Sequence, residues 1–285
     1  MLDYKKLIEQ RQSSREFERK PIPETDIKEL QDFFGKAARL EGNDLELKIY
    51  SDDRTYMILE GVAGYNGYAF EAPLYLAFLG KKSDETYVGA GFTAMNMVLK
   101  LEDMGYDSCF LTLEDGDLVK KVLKLDSDLD ILTIIAAGKS KKERKLRRID
   151  IHSPSDVTMS KREGYLAPKI SRSELVYDGV WGKKLEYTEN RPNPILAEAF
   201  YSASLAPSFF NRQLYRYIYK EGKVAIATKI DDKTNYEDIM IGLGCTMFNF
   251  YIVYSEDSGI SETWHFDKGD VEVPQGYEVL ASMRV

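Results

Sequence analysis

The stretch YVGAGFTAMNMVLKLEDMGYDSCFL runs from Tyr87 to Leu111, and a second one, MIGLGCTMFNFYIVYSEDSGISETW, runs from Met240 to Trp264. Laid over each other 153 positions apart, they pair Gly89 with Gly242, Gly91 with Gly244 and Asn96 with Asn249. One extra residue later, Gly105 pairs with Gly259. Both copies read as a helix that is apolar on most faces, opened by glycines and closed by a turn, hence central to the fold. The elements around them pair as well. LYLAFLG (74–80) matches KVAIATKI (223–230), and DILTIIAAG (130–138) matches YEVLASMRV (277–285). Earlier in each copy, FGKAARLEGNDLELKIY (34–50) can be laid on FYSASLAPSFFNRQLYRYIY (200–219). Shared order and spacing across the two halves imply a tandem duplication.

Around this frame the chain alternates helix and strand patterns. Helices are expected at Asp3 to Gln10, from Thr25 as N-cap through Ile27, Leu30, Phe33 and Phe34, at Val88 to Met104 and at Asp117 to Leu125. RTYMILEGVAGYNGY (54–68) also reads as helix. Strands are expected at Leu45 to Tyr50, Ala72 to Gly80 and 130–138, with SCFLTL (108–113) as a short extended segment. The fold class is therefore α+β, with layers of helix on sheet. The first half is assigned to 1–150. A polar connecting segment follows at 151–172, and a shorter second half at 173–285.

The bulk composition excludes several classes. The 285 residues are 44% hydrophobic and 30% charged with a net charge of −8, so nucleic acid is not an expected partner. No apolar run is long enough to span a bilayer, and MLDYKKLIEQ lacks the apolar core of a signal peptide. A cytoplasmic location with no membrane partner is the expectation. Cys109 and Cys245 lie in apolar runs and read as buried thiols. His152 and His265 are the only histidines, so no His-based relay or metal cluster is evident.

Positive charge matters only where it is local. RQSSREF (Arg11 to Phe17) brackets two serines with two arginines. By itself it reads either as a solvated link between helices or as a phosphate clamp, since the guanidinium fork suits bidentate bonds to phosphate oxygens. Lys145 and Arg147, in KKERKLRR (141–148), carry the same ambiguity. LAPSFFN (Leu205 to Asn211) is a turn by its Pro, Ser and Asn.

In combination and in this order, these motifs resemble the nitroreductase family of flavoproteins. RQSSREFERKPIPETDIKEL is similar to that family's Arg-x-Ser-x-Arg opening, followed by Phe and an "IP" link into a helix. LAPSFFNRQLYRY is similar to its Ala-Pro-Ser-x-x-Asn-x-Gln-Pro-Trp segment, although Leu214 and Tyr215 stand here after Gln213. The helix from Gly89 and the turn at Ser108-Cys109-Phe110 resemble its central interface helix and the turn after it.

The resemblance implies FMN as cofactor, NAD(P)H as co-substrate and a nitroaromatic, quinone or similar small-molecule acceptor. It implies phosphate contacts from Arg11, Ser13 and Arg15, with Lys145 and Arg147 folding back onto the same phosphate. Pro207, Ser208 and Asn211 would contact the flavin and its ribityl chain, and Asn66, in GYNGY, would bond the ring. Backbone at Leu113 and Glu114 would lie near flavin N5, with no catalytic side chain required, because the cofactor carries the chemistry.

Family members are usually homodimers whose sites draw on both subunits. Here the first half keeps RQSSR but has ARLEGND where APSFFN should stand, and the second half keeps APSFFN without RQSSR. The expectation is an intrachain pseudo-dimer with one complete FMN site built between halves, further homodimerisation remaining open. A catalytically decayed flavin- or ligand-binding module of the same fold is the alternative.

Overall fold

The computed structural model describes residues 2–140, 146–153, 156–162, 167–186, 193–267 and 270–285. The first half opens with α1 (Tyr4–Gln10), RQSSREF, and α2 (Glu24–Phe34). Pro23, not Thr25, is the N-cap of α2, and Thr25 Oγ1 donates to Asp26 instead. The chain continues through β1 (Glu46–Tyr50), α3 (Arg54–Leu59), β2 (Leu74–Gly80), α4 (Asp84–Asp103), β3 (Asp107–Leu111), α5 (Gly116–Val122) and β4 (Asp130–Gly138). The helical reading of 54–68 holds only for α3. Glycines at 61, 64 and 67 take φ of 84°, 86° and 74°, so the chain turns there.

An antiparallel ladder, β5 (Leu146–Ser153) on β6 (Asp156–Arg162), straddles the boundary expected at residue 150. The second half follows as α6 (Arg172–Leu175), β7 (Val176–Asp178), α7 (Pro194–Ser204), β8 (Tyr215–Lys220), β9 (Lys223–Lys229), α8 (Tyr236–Ser258) and β10 (Tyr277–Arg284). Glu221 and Gly222 close the β8–β9 hairpin with φ of 49° and 75°, the pair of left-handed residues such a two-residue loop favours.

Two four-stranded sheets result, ordered β1-β2-β4-β3 and β10-β9-β8-β7. In each, a central buried strand (β2, β9) is flanked on both sides by antiparallel partners drawn from matching positions in the two halves. The fourth strands differ. β3 pairs antiparallel with β4, whereas β7 runs parallel to β8 at the opposite edge.

Between the sheets, α4 and α8 make the most extensive helix–helix contact in the molecule. A Cβ on Gly91 would lie 2.1 Å from the Ile241 carbonyl oxygen, and a Cβ on Gly244 would lie 2.0 Å from that of Val88. Those two contacts are one contact repeated, since 88 and 241, like 91 and 244, are 153 apart. Such reciprocity is the mark of a two-fold interface. Both helices also end on a left-handed glycine, Gly105 (φ 79°) and Gly259 (φ 68°). The main core spans both halves. Phe92 meets Phe248 edge-on at 5.1 Å between ring centroids, a geometry that adds to the burial itself. No helix among the described residues is long and apolar enough to cross a membrane.

Candidate functional site: a cleft between the halves

RQSSREF is held as an edge segment. Ser13 bridges to Ser108 of β3, Ser14 N donates to Ser108 O (3.1 Å), and Glu18 N donates to Lys139 O (2.8 Å). Phe17 anchors it as a buried residue among Tyr75 and Ala136. Pinned in this way, Ser13 and Arg15 face a cleft between the halves. Pro207 and Ser208 line the opposite side, together with one stripe of α8: Asp238, Ile241, Gly242 and Cys245, spaced as one helix face. The cleft therefore joins RQSSR of the first half to APS of the second.

The wall that α8 presents is flat because Gly242 has no side chain. A Cβ there would find only Ser208, at 3.7 Å. At the matching point on α4 the arrangement is closed. Asn43, 6% exposed, lies against Gly89, where a Cβ would come within 2.3 Å of its Cγ. Both polar ends of the Asn43 amide are buried without a partner.

Behind the cleft are two cations. Arg11 donates to Ser13 Oγ (3.3 Å), while its Nε is buried and unpaired. Lys169 Nζ donates to Ala206 O (2.8 Å) and Asn211 Oδ1 (3.3 Å). Among the described residues neither forms an ion pair with a carboxylate. Burial lowers the Arg11 pKa, and burial together with the Arg11 charge brings Lys169 down to about 8. Glu102 is the nearest acid to bear on Arg11, and burial and then Asp107 raise it to about 7. Two neighbouring cations with no ion pair among the described residues form a pocket of positive charge that suits an anion.

The remaining polar group of the cleft was not visible in the sequence. Asp238 sits in the first turn of α8 and accepts a hydrogen bond from Thr112 Oγ1, across the two halves. Burial raises its pKa to about 6, with Thr112 pulling the other way. Cys109 and Cys245 also line the cleft as free thiols, both raised by burial, Cys245 to about 12.

The other expected site residues divide. Asn211 does not line the cleft. Its φ of 56° turns the side chain away, so that Nδ2 donates to Pro168 O (2.6 Å) and Oδ1 accepts from Lys169. It braces the cation. Asn66 is tied through its backbone, its N–H donating to Glu114 Oε1 (2.7 Å), while Gly64 N donates to Thr112 O (2.9 Å). The wall of the cleft falls on Leu111 and Thr112, whereas Leu113 packs into the core of the first sheet and Glu114 points to solvent. Lys145 lies outside the described residues. Arg147 stands on β5 opposite Lys161, and its side chain is not described. Lys169 was missed because it falls in the segment read as connecting. One signal was there: Lys169-x-Ser171 repeats the Arg11-x-Ser13 spacing.

Comparison with known proteins agrees with this architecture. A family model described as "Putative TM nitroreductase" matches residues 3–253. The solved structure of a "putative nitroreductase" from Thermotoga maritima superposes with a TM-score of 0.64, covering 99% of this chain and 94% of that one at 15% identity. An "FMN-dependent Nitroreductase" from Clostridium difficile covers 48% of this chain and 88% of its own at a TM-score of 0.44 and 19% identity. The "Putative NAD(P)H nitroreductase MhqN" of Bacillus subtilis is 31% identical over 67 residues, 24% of this chain. That match spans about a third (32%) of the curated relative.

Proposed function

The chain belongs to the nitroreductase family, and from that premise we propose that it is an FMN-dependent oxidoreductase with one flavin site per chain, assembled between its halves. Membership of the family implies flavin-dependent redox chemistry in general. The finer reading is that hydride comes from NAD(P)H and leaves to a nitroaromatic, quinone or similar small molecule. When bound, FMN supplies the two-electron transfer.

The carrying observation is the buried, unpaired Nε of Arg11 beside Lys169, at the back of a cleft lined by both halves. These residues fit the group. Arg11, Arg15 and Ser13 would hold the phosphate. Lys169 would add a second cation, positioned by Asn211 and the Ala206 carbonyl. Pro207 and Ser208 would border the ribityl chain, and the bare backbone at Gly242 leaves room for a planar ring. Duplication with opposite losses in each half supports one site per chain. On the α4 side, Asn43 occupies the place that Ser208 leaves open beside α8.

FMN uptake by the purified protein, followed by anaerobic bleaching with NADH or NADPH, tests this reading. No uptake would sink it. Uptake without bleaching would favour the second reading, a flavin-binding module without turnover. One observation favours that alternative: the Asp238 carboxylate lines the cleft and opposes negative charge gathering on a reduced ring.

A further inference from the structure

The mouth of the cleft is made of rings. Tyr65, from the loop after α3, and Phe210, from the turn after α7, meet edge-on with centroids 4.9 Å apart. Phe209 lies 4.3 Å from Phe210 and 6.0 Å from Tyr65. All three line the cleft, one from the first half and two from the second. Packing alone does not explain this placement. Tyr65 is 51% exposed and Phe210 65% exposed, so neither ring contributes much to the core.

The backbone beneath the rings is strained as well. Phe210 has φ 46° and Asn66 has φ 51°. Asn211 and Gln213, at 56° and 48°, complete a group of four left-handed non-glycine residues on these two loops. A bulky Phe there is a genuine outlier, and such strain persists where function requires the geometry. The two loops are braced from below. Glu114 holds the Asn66 N–H, Thr112 O holds Gly64 N–H, and Ser208 Oγ accepts from Gln213 N (3.0 Å).

We propose that Tyr65 and Phe210 form an aromatic clamp, one jaw from each half, that binds a planar uncharged aromatic ring at the cleft mouth. Edge and face contacts of such a ring replace the Tyr65–Phe210 contact at little cost, because aromatic pairs accept several geometries. Charge sets the second preference. Glu114 stands beneath the Tyr65 loop, and Asp238, on the first turn of α8, lines the same cleft. Arg15, the cation on this side, is turned over the Phe70 ring at 5.9 Å. An anionic ring therefore meets carboxylates first. The clamp makes Tyr65 and Phe210 specificity-determining residues for the acceptor, which rests on the flavin reading for what happens to the ring and not for its binding.

Calorimetric titration with 2-naphthol, with 2-naphthoate as the anionic comparator and cyclohexanol as the non-aromatic one, tests the clamp on protein with and without FMN. Wild type should bind 2-naphthol more tightly than either comparator. Tyr65→Ala should weaken it about five-fold, from the loss of one aromatic contact, and Tyr65→Phe should not. Phe210→Gly keeps the left-handed backbone and removes the ring. It should weaken 2-naphthol about five-fold while raising the melting temperature by about 2 °C as strain is relieved. A structural role for the ring would instead lower the melting temperature. Unchanged 2-naphthol affinity in both Tyr65→Ala and Phe210→Gly, or equal affinity for cyclohexanol, overturns the clamp. If wild type takes up no FMN, the flavin reading fails by itself, and the FMN-free titration still decides the clamp.

Discussion

Two points in the molecule, 153 positions apart on the crossing helices α4 and α8, have opposite characters. At Gly242, on α8, the backbone borders an open cleft with Ser208 across it. At Gly89, on α4, the Asn43 side chain fills the corresponding space and leaves both its polar ends without a partner. A buried, unsatisfied amide costs about 1–3 kcal/mol, so the closed side is not the better-packed one. The comparison teaches that the helix crossing is alike on its two sides, while the spaces beside Gly89 and Gly242 are not.

The helix crossing gives the largest expected effect. Gly91→Ala and Gly244→Ala place a methyl about 2 Å from a backbone oxygen of the other helix, where no flexible side chain can give way. Each should cost about 3 kcal/mol or more and lower the melting temperature by about 6–12 °C. If the repeat governs the crossing, the two losses are similar. A large loss at one glycine and none at the other would break the symmetry.

Next comes the cation pair. Arg11→Ala should weaken FMN binding about 30-fold or more, since a buried charged hydrogen bond is lost, and Lys169→Ala about ten-fold. Equilibrium titration followed by flavin fluorescence reads both. The Lys169 ammonium has its pKa lowered to about 8, so FMN affinity should fall as pH rises above that value, and Lys169→Arg should flatten the dependence. The stability sign is the reverse. Between pH 8 and the usual lysine range the unfolded chain binds the extra proton, so stability rises with pH there. Lys169→Met should remove that slope in denaturant melts.

Asp238 gives a smaller effect of opposite sense. With its folded pKa raised to about 6 above an ordinary value near 4, its contribution is present below pH 4 and lost as pH rises through 6. Asp238→Asn should therefore gain about 2 kcal/mol on wild type at pH 8 relative to pH 4. The smallest change is on the closed side. Asn43→Ala should be neutral or stabilising by about 1 kcal/mol, with FMN stoichiometry unchanged, because no arginine motif stands there to hold a phosphate.

These tests follow how the molecule could be read from its sequence. The two central helices were legible from their apolar faces and paired glycines, while their crossing at Gly91 and Gly244 emerges only in the structure. The α+β class and the central strands followed from apolar runs. The reading went wrong where polarity hides structure. The charged segment after β4 carries a β-ladder, since paired edge strands tolerate polar side chains on both faces. Thr25 gave way to Pro23 as cap because the residue before a helix needs extended backbone, which proline supplies without a hydroxyl.

In the site, Ser13, Arg15, Pro207 and Ser208 were placed by motif alone, and the cleft holds all four. Lys169 and Asp238 were not, since Lys169 falls in a stretch expected to connect the halves and one acid in an acidic stretch carries no periodic signal. Asn211 was placed in the right segment but faces Lys169. Its left-handed backbone, which no side-chain pattern announces, decides its direction.

The most direct test of the account is the amount of FMN bound per chain at saturation, from flavin absorbance against protein concentration on the gel-filtered protein. The asymmetry between Gly242 and Gly89 predicts one FMN per chain, lost on Arg11→Ala and kept on Asn43→Ala. Two FMN per chain, or none, would contradict it.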